Sequence, residues 1–525
     1  MQEFLTIKQA SEFASRHLNK NVTASNIAYL INYGRIEKSE RGGAVLIEKQ
    51  ELINYYAAYY GKRETDWKQV LGDDLNWHLS FETLKETDTT KHVHRLHPYK
   101  GKFIPQLVGY FLDARTDKFK REVFFQKGDI VLDPFCGSGT TLVQANELGI
   151  HAVGVDVSIF NALISNVKVR DVDFYELNRE VKRITKALQR FVADLNHVRF
   201  ETTLVEELNR FNNKFFPSPE FKIKVIKKEI NEKEFAAEKE KEFLPTFEQL
   251  VKQHGVRIKQ NRNEKFLEKW FLQPVRDEIG FVFGYIEGLE NGRTKDILKV
   301  ILSRTIRSCR ATTHADLATL VEPVAQTYYC AKHGKICKPL FSILSWWERY
   351  AKDTIKRLGE FQSLRTNTFQ VCLTGNSQEI DLLENLKKEN SKLAALVEKQ
   401  KIKGIFSSPP YVGLIDYHEQ HAYAYDLFEF ERKDELEIGA MQKGASRNAK
   451  EEYIKGIVNV LLNSKKYLVD DYDVFLVAND KSDLYSTIAY KAGMKIVNQY
   501  KRPVLNRTEK DKGAYSEIIF HLKDR

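Results

Sequence analysis

The stretch Val131-Leu-Asp-Pro-Phe-Cys-Gly-Ser-Gly-Thr-Thr141 constrains this chain more than any other part of it. An apolar approach, Asp129-Ile-Val-Leu132, leads into Asp133 and Pro134. Gly137 and Gly139 follow, and Leu142, Val143, Ala145 and Leu148 then recur at helical spacing. The pattern predicts a strand, a tight turn and a helix. Its glycines let backbone approach a ligand, and the helix start offers unpaired N–H groups. A second apolar run, His151–Val155, ends in Asp156, which lies 156 − 137 = 19 residues past Gly137. That is close to the roughly 20 residues at which a carboxylate on the second strand grips ribose hydroxyls. A dinucleotide fingerprint wants a third glycine where Leu142 stands, and the Gly-Lys-Ser/Thr of a phosphate loop is absent. An ordinary α/β turn is the bland alternative.

Two further stretches give that loop its meaning. Lys403-Gly-Ile-Phe-Ser-Ser-Pro-Pro-Tyr411 reads as a short strand closed by a stiff turn, because Pro409 and Pro410 cannot extend a sheet. An exocyclic base amine is a poor nucleophile, since its lone pair is delocalised into the ring. Acceptors on both of its N–H groups draw the nitrogen toward tetrahedral geometry and take up the charge that develops on it. Upstream, His97–Phe111 passes from a Gly- and Pro-containing turn into a helix with Leu107, Val108, Phe111 and Leu112 on its inner face. Together, Asp-Pro-Phe-x-Gly-x-Gly-Thr, the preceding Pro-Tyr-Lys-Gly-Lys-Phe and Ser408-Pro409-Pro410-Tyr411 resemble the S-adenosylmethionine-dependent DNA amino-methyltransferases, which modify cytosine N4 or adenine N6.

The resemblance implies an α/β fold, a Rossmann-like methyltransferase sheet with a terminal antiparallel hairpin. It implies S-adenosylmethionine contacts from Lys102, Phe103 and Pro105, from the loop residues Asp133, Pro134, Phe135, Cys136, Gly137, Gly139 and Thr140, and from Asp156, Val157 and Asn376. Such families usually carry Gly-Asp where Gly375-Asn376 stands, so Asn376 offers an acceptor without the charge. Catalysis falls to Ser408, Pro409, Pro410 and Tyr411. The Ser408 hydroxyl and the Pro409 carbonyl accept the amine protons, and Tyr411 stacks on a base flipped out of the duplex. Asp416 and Tyr417 are expected nearby, unless they merely start a helix. A cytosine C5 enzyme needs a Pro-Cys nucleophile, which this sequence lacks, and Cys136 is expected to pack rather than react. Serine at position 408 is, by resemblance, commonest in N4-cytosine enzymes. Adenine N6 is the alternative, and an RNA base methyltransferase or a non-enzymatic DNA-binding regulator are rivals from further away.

The motifs divide the chain. Residues 1–62 form helices from Thr6, Thr23 and Lys49 and a short strand at Ala44–Ile47, and resemble the small winged helix-turn-helix domains of excisionase-type proteins. On that resemblance Thr23, Ser25, Asn26 and Arg35 face DNA; a helical cap or dimerisation element is the other reading. Residues 63–94 are a polar linker, and 95–171 carry the cofactor half. Residues 172–369 form a large, mainly helical insertion, the region expected to recognise the target, and 370–525 carry the catalytic half. Within the insertion, Phe221–Glu242 mixes Lys and Glu as a solvated helix or a mobile excursion would. Arg293–Arg307 is an amphipathic helix with five bases, and Trp346–Arg357 interleaves aromatics with bases. Both suit a nucleic-acid surface, or a core with solvated bases. Gly439–Asn448, with Lys443 and Arg447, reads as a mobile basic loop.

Lys and Arg exceed Asp and Glu by 82 − 72, a net +10 over 525 residues that suits a polyanion. Five widely spaced cysteines argue against a disulfide framework and for a reducing cytoplasm. Neither a signal pattern nor a membrane-length apolar run is present. Cys330-Ala-Lys-His333-Gly-Lys-Ile-Cys337 offers three soft metal ligands, with Cys309 and His314 upstream and Cys309 as the fourth ligand of a tetrahedral zinc site, but plain cysteines explain it too and no metal is assigned. The expected partners are duplex DNA and a cognate restriction endonuclease, with no membrane.

Overall fold

Seven strands pair into one central sheet in the computed structural model of the chain: β1 (Ile130–Asp133), β2 (His151–Asp156), β3 (Gln370–Thr374), β4 (Ile402–Ser407), β5 (Leu468–Ala478), β6 (Met494–Pro503) and β7 (Ser516–Asp524). The structure describes residues 3–18, 22–32, 34–41, 44–60, 75–81, 84, 86–99, 101–193, 196–258, 265–313, 322–444, 446–504 and 515–525. Two units emerge: residues 1–70, 187–280 and 308–343 make one, and 71–186, 281–307 and 344–525 make the other, which holds the sheet. The expected insertion, 172–369, is thus divided between them. Much of the expected linker, including residues 63–74, lies outside the described residues.

The spatial order is β6-β7-β5-β4-β1-β2-β3. Strands β1 to β5 run parallel to one another, and β7 is antiparallel to both β5 and β6. The apolar runs follow from this, because a parallel sheet is covered on both faces. Ile130, Val131, Val153, Ile405 and Phe406 are each 0% exposed. From β1 the chain winds through the helix Thr140–Glu147 to β2, and through Ile159–Val169 toward β3 at the sheet's edge. It then returns to β4 on the other side of β1. Winding reverses between β1 and β4, where open α/β sheets keep a crevice at the strands' carboxyl ends. The register Val131↔Gly404, Leu132↔Ile405 brings Asp133 level with the end of β4.

The helix Pro105–Leu112 begins with proline in its first turn, where a missing N–H costs nothing, and buries Leu107, Val108, Phe111 and Leu112 as expected. Strand β5 starts before the expected Asp473, with a register shift between Leu468 and Asp473. Helix Gly292–Ser308 corrects one expectation. Arg304 on it is 5% exposed, donates to Thr354 Oγ1 (2.6 Å) and Asp353 Oδ2 (2.5 Å), and lies over the Tyr350 ring. It is a core residue, not part of a phosphate-facing stripe. Trp347 is 0% exposed and donates its indole N–H to Thr185 Oγ1 (2.9 Å), so that aromatic also serves packing. The segment expected to be a mobile basic loop has Lys443 near the Glu437 carbonyl and Arg447 paired with Glu451, inside a helix capped by Ser446.

In the other unit, Phe4–Thr6, Ser39–Arg41 and Ala44–Glu48 form an antiparallel sheet with the last in the middle, beside helices Ile7–His17, Ala24–Asn32 and Lys49–Tyr60. Thr6 closes the first helix in a reciprocal capping box with Gln9. Thr23 and Asn26 cap each other: the Thr23 N–H donates to Asn26 Oδ1 (2.9 Å) and the Asn26 N–H to Thr23 Oγ1 (3.2 Å). Both remain exposed, as do Ser25 and Arg35. Lys227 pairs with Glu37 at 3.0 Å and Ser218 Oγ donates to the Asn32 carbonyl, tying this small fold to the helices that follow in the same unit. The Lys/Glu-rich segment is not a free excursion. It forms helices Glu220–Ile226 and Glu232–His254, whose Phe221 and Phe243 are buried among other rings while the charges take the outer faces. No helix among the described residues is long and apolar enough to cross a membrane.

Candidate active site

Strand β1 ends at Asp133, whose Oδ1 accepts from Ser407 Oγ on β4 (2.5 Å) and from the Phe135 N–H (3.2 Å). One buried carboxyl therefore fastens the two strand tips together. The chain then turns through Gly137 and Gly139 at φ 52° and 76°, the left-handed region that glycine enters without steric cost. A Cβ at Gly137 would sit 2.8 Å from the Tyr99 hydroxyl. The Gly137 N–H donates to Asp156 Oδ2 (2.7 Å), and Oδ1 of the same carboxyl accepts from the Ser158 N–H (2.9 Å) and Asn161 Nδ2 (3.1 Å). Loop and acid thus fix each other. Burial pushes both Asp133 and Asp156 up to about 6, against hydrogen bonds that favour the ionised form.

Above the tips of β1, β2 and β4 lies a cleft. It brings together Lys102, Phe103, Pro134, Phe135, Cys136, Gly137, Thr140, Asp156, Val157, Asn376, Ser408 and Pro410. Lys102 Nζ donates to the His94 carbonyl (2.6 Å), and burial pushes it down to about 8. Phe103 meets Phe406 edge to face at 5.5 Å. Ser408 Oγ donates to the Val477 carbonyl on β5 at 3.2 Å. Asn376 Oδ1 accepts from the Gln378 N–H (3.1 Å), while Ser377 Oγ donates to the Pro134 carbonyl (2.6 Å). The neighbouring Cys372 thiol and burial push the Cys136 thiol well up, so it packs as a neutral group.

Five of the expected residues do not line this cleft. Pro105 is buried in the first turn of its helix, Asp133 lies beneath the loop as a tie, and Gly139 caps the helix at Thr140. Pro409 is buried in its turn. Tyr411 lines a second pocket with Asn479, Lys450 and Tyr515, and its hydroxyl donates to Glu517 Oε1 (3.0 Å). Other lining residues escaped the sequence reading. Tyr99, inside the His97–Phe103 segment, stacks on Tyr417 with ring centroids 5.7 Å apart, and Asn161 lies in the first turn of the helix Ile159–Val169 that follows Asp156. Spacing from the acid was the available signal for Asn161. Leu436, Glu437 and Ile438 carry no motif. Glu437 accepts from the Tyr417 N–H (3.1 Å) and the His418 N–H (2.8 Å) and pairs with the His418 ring.

The profile of a DNA methylase family matches residues 47–166, the part that holds the glycine loop and Asp156. The type II methyltransferase M.MjaII of Methanocaldococcus jannaschii is 42% identical over 526 residues, which covers 99% of this chain and 97% of that one. This chain belongs to the type II DNA methyltransferases. The methyltransferase therefore acts on DNA within restriction–modification and takes its methyl group from S-adenosylmethionine. Its likeness to the type II methyltransferase M.MvaI of Kocuria varians is 26% over 246 residues, 43% of this chain and 51% of that one. With M.BsoBI of Geobacillus stearothermophilus it is 31% over 113 residues, 20% of this methyltransferase and 21% of the relative.

Proposed function

We propose that this methyltransferase modifies the exocyclic N4 of cytosine in duplex DNA, on a base swung out of the helix, alongside a cognate restriction endonuclease. The observation that carries this is the cleft itself: Ser408, at the tip of β4, borders the same space as Gly137 and Asp156. The donor's chemical parts match what lines it. Asp156 takes the ribose hydroxyls, Lys102 the amino-acid carboxylate, Asn376 the adenine edge, and Phe103, Pro134, Phe135 and Val157 form apolar walls. Gly137 borders the cleft without a side chain, because Tyr99 occupies the place a Cβ would take. The bound donor supplies an electrophilic methyl group on a sulfonium.

The protein's task is to make an amide-like nitrogen basic. Ser408 spends its hydroxyl proton on the Val477 carbonyl, which leaves its oxygen lone pairs for an amine N–H. The Pro409 carbonyl accepts the second N–H. Two acceptors localise the nitrogen lone pair and stabilise the positive charge as the new bond forms. The pocket bordered by Tyr411, Asn479 and Tyr515 receives the extruded base, whose unstacking costs a few kcal/mol. Residues 1–62 act as a helix-turn-helix that presents Ser25 and Arg35 to the duplex, and residues 172–369 supply target recognition.

Incubation with isotopically labelled S-adenosylmethionine and either duplex DNA or transfer RNA, followed by nucleoside mass spectrometry, tests the reading. N4-methyldeoxycytidine is the expected product. N6-methyldeoxyadenosine would overturn the base assignment while leaving the cleft intact, and label confined to transfer RNA would overturn the substrate.

A further inference from the structure

The residues Cys330, His333 and Cys337 play no part in methyl transfer, yet they converge. They sit on a hairpin of two three-residue strands, Tyr328–Cys330 and Lys335–Cys337, with Tyr328 opposite Cys337 and Cys330 opposite Lys335. Gly334, at φ 62°, lets the turn fold back, and the N–H groups of His333 and Gly334 both donate to the Cys330 carbonyl. In consequence the two sulfurs and a ring nitrogen all lie within 4.8 Å of one another, and Cys337 Sγ is 3.5 Å from His333 Nδ1. A tetrahedral zinc ion, with Zn–S near 2.3 Å and Zn–N near 2.0–2.1 Å, sets its ligand atoms about 3.5–3.8 Å apart. Neither cysteine takes part in a disulfide.

A second observation points the same way. Two-stranded hairpins are at best marginally stable alone, and this one's hydrophobic cluster consists of Tyr328, Cys330 and Cys337 with Val324 packed against it. Two of its three buried members are thiols. Asn212 clamps the Ile336 backbone from one side, donating to its carbonyl and accepting from its N–H at 2.9 Å each. At the tip, Lys222 Nζ donates to the Ala331 carbonyl at 2.7 Å, and Tyr329 packs on Phe216, so the metal would add to ties already present.

We propose that Cys330, His333 and Cys337 bind one zinc ion that staples this hairpin, with water as fourth ligand. Binding releases the two thiol protons, and the sulfurs coordinate as thiolates. His333 and Cys337 border a pocket with Leu208 and Asn209, which leaves room for the water. Cys309 is not part of the cluster, and His314 lies outside the described residues.

The test uses the full chain purified without chelator. Elemental analysis should find one zinc per chain, and cobalt(II) substitution should give the thiolate charge-transfer and visible bands of a tetrahedral site. Cys330→Ser/Cys337→Ser should keep less than about a tenth of the metal while still binding S-adenosylmethionine, a readout that belongs to the other unit. Should that variant fail to fold, alkylation of the wild-type protein decides: zinc should shield Cys330 and Cys337 from alkylation, and a chelator should expose them. Absence of zinc together with no thiolate band on cobalt addition would overturn the proposal. So would metal retained at wild-type level after both cysteines are replaced, or equal alkylation with and without zinc.

Discussion

Replacing Ser408 with alanine separates chemistry from cofactor binding. In the folded protein the Ser408 hydroxyl makes one neutral bond, to the Val477 carbonyl at 3.2 Å. Losing it costs folding about 1 kcal/mol, the usual net worth of such a bond. The acceptor it offers to the base amine matters more, because that nitrogen becomes positive during transfer. Hydrogen bonds to charged groups contribute about 1.5–3 kcal/mol, so the methyl-transfer step should slow by roughly 10- to 150-fold. The Pro409 carbonyl remains, which keeps the residual rate above background. Single-turnover transfer of tritiated methyl onto a duplex oligonucleotide, at saturating S-adenosylmethionine, reads the first quantity. Titration calorimetry with S-adenosylhomocysteine reads the second, and its Kd should move by less than about threefold. Ser408→Asn, which restores an acceptor, should recover part of the rate. A wild-type rate in Ser408→Ala would refute the reasoning, as would a loss of rate matched by an equal loss of cofactor affinity.

Asp156 yields a pH prediction with two opposite signs. Burial raises it from 3.8 to about 6, so between those values the folded protein holds a proton the unfolded chain has lost. Its contribution to stability is full below about pH 3.8 and declines as pH rises through about 6. Hydroxyls donate to the ionised form, so cofactor affinity runs the other way, falling as pH drops below about 6 and approaching tenfold per unit. Calorimetry across pH 5–8 should show this, and Asp156→Asn should bind weakly at every pH; a sloping profile in that variant would assign the titration to another group. Gly137→Ala forces a left-handed alanine, costing about 1–2 kcal/mol, and drives its Cβ against the Tyr99 hydroxyl. Cofactor Kd should rise about tenfold or more, with partial recovery on adding Tyr99→Phe, and unchanged affinity would show that the loop does not hold the ligand. Arg35→Ala should weaken DNA binding evenly across sequences and lower the salt slope by about one; an unchanged slope would remove Arg35 from the DNA contact.

Those parts of the fold were legible where local chemistry leaves few choices. The apolar runs of β1, β2 and β4 end at Asp133, Asp156 and Ser407, and each is followed by residues that cannot continue a strand or that favour a turn. Helix Pro105–Leu112 announced itself through proline and four residues that are all buried. What failed to show depends on partners far along the chain. Arg304 reads as a solvated base on its own helix, and only Asp353 and Thr354 on a later helix make it a core residue. The Lys/Glu run hid Phe221, and Phe243 just past its end, because charge dominates its composition while a few buried rings carry the packing. Tyr411 belongs to an expected turn, yet the direction of its ring is set by Glu517 on β7, which no local pattern reveals. Leu436–Ile438 reach the cleft without any motif, carried there by the hold of Glu437 on Tyr417 and His418.

The sheet order explains how a long interruption leaves the chemistry untouched. Asp133 and Ser407 are 274 residues apart in sequence, yet hydrogen-bonded. The interruption falls between the helix Ile159–Val169 and β3, and β3 is the edge strand beyond β2. Lengthening a connection to an edge adds only logarithmically to the closure entropy and places nothing between β1 and β4, which pair directly. The strand tips that must meet are therefore fixed by neighbours within the sheet, while chain length accumulates at its border. The same logic separates duties within the molecule: Asp156 and Ser408 answer to sheet register, whereas the hairpin of Cys330 and Cys337, grouped with residues 1–70, is held by Asn212 and by Tyr329, whose hydroxyl donates to Glu232 Oε1. The proposed zinc adds one more tie to a hairpin already held within its own unit by Asn212 and Lys222.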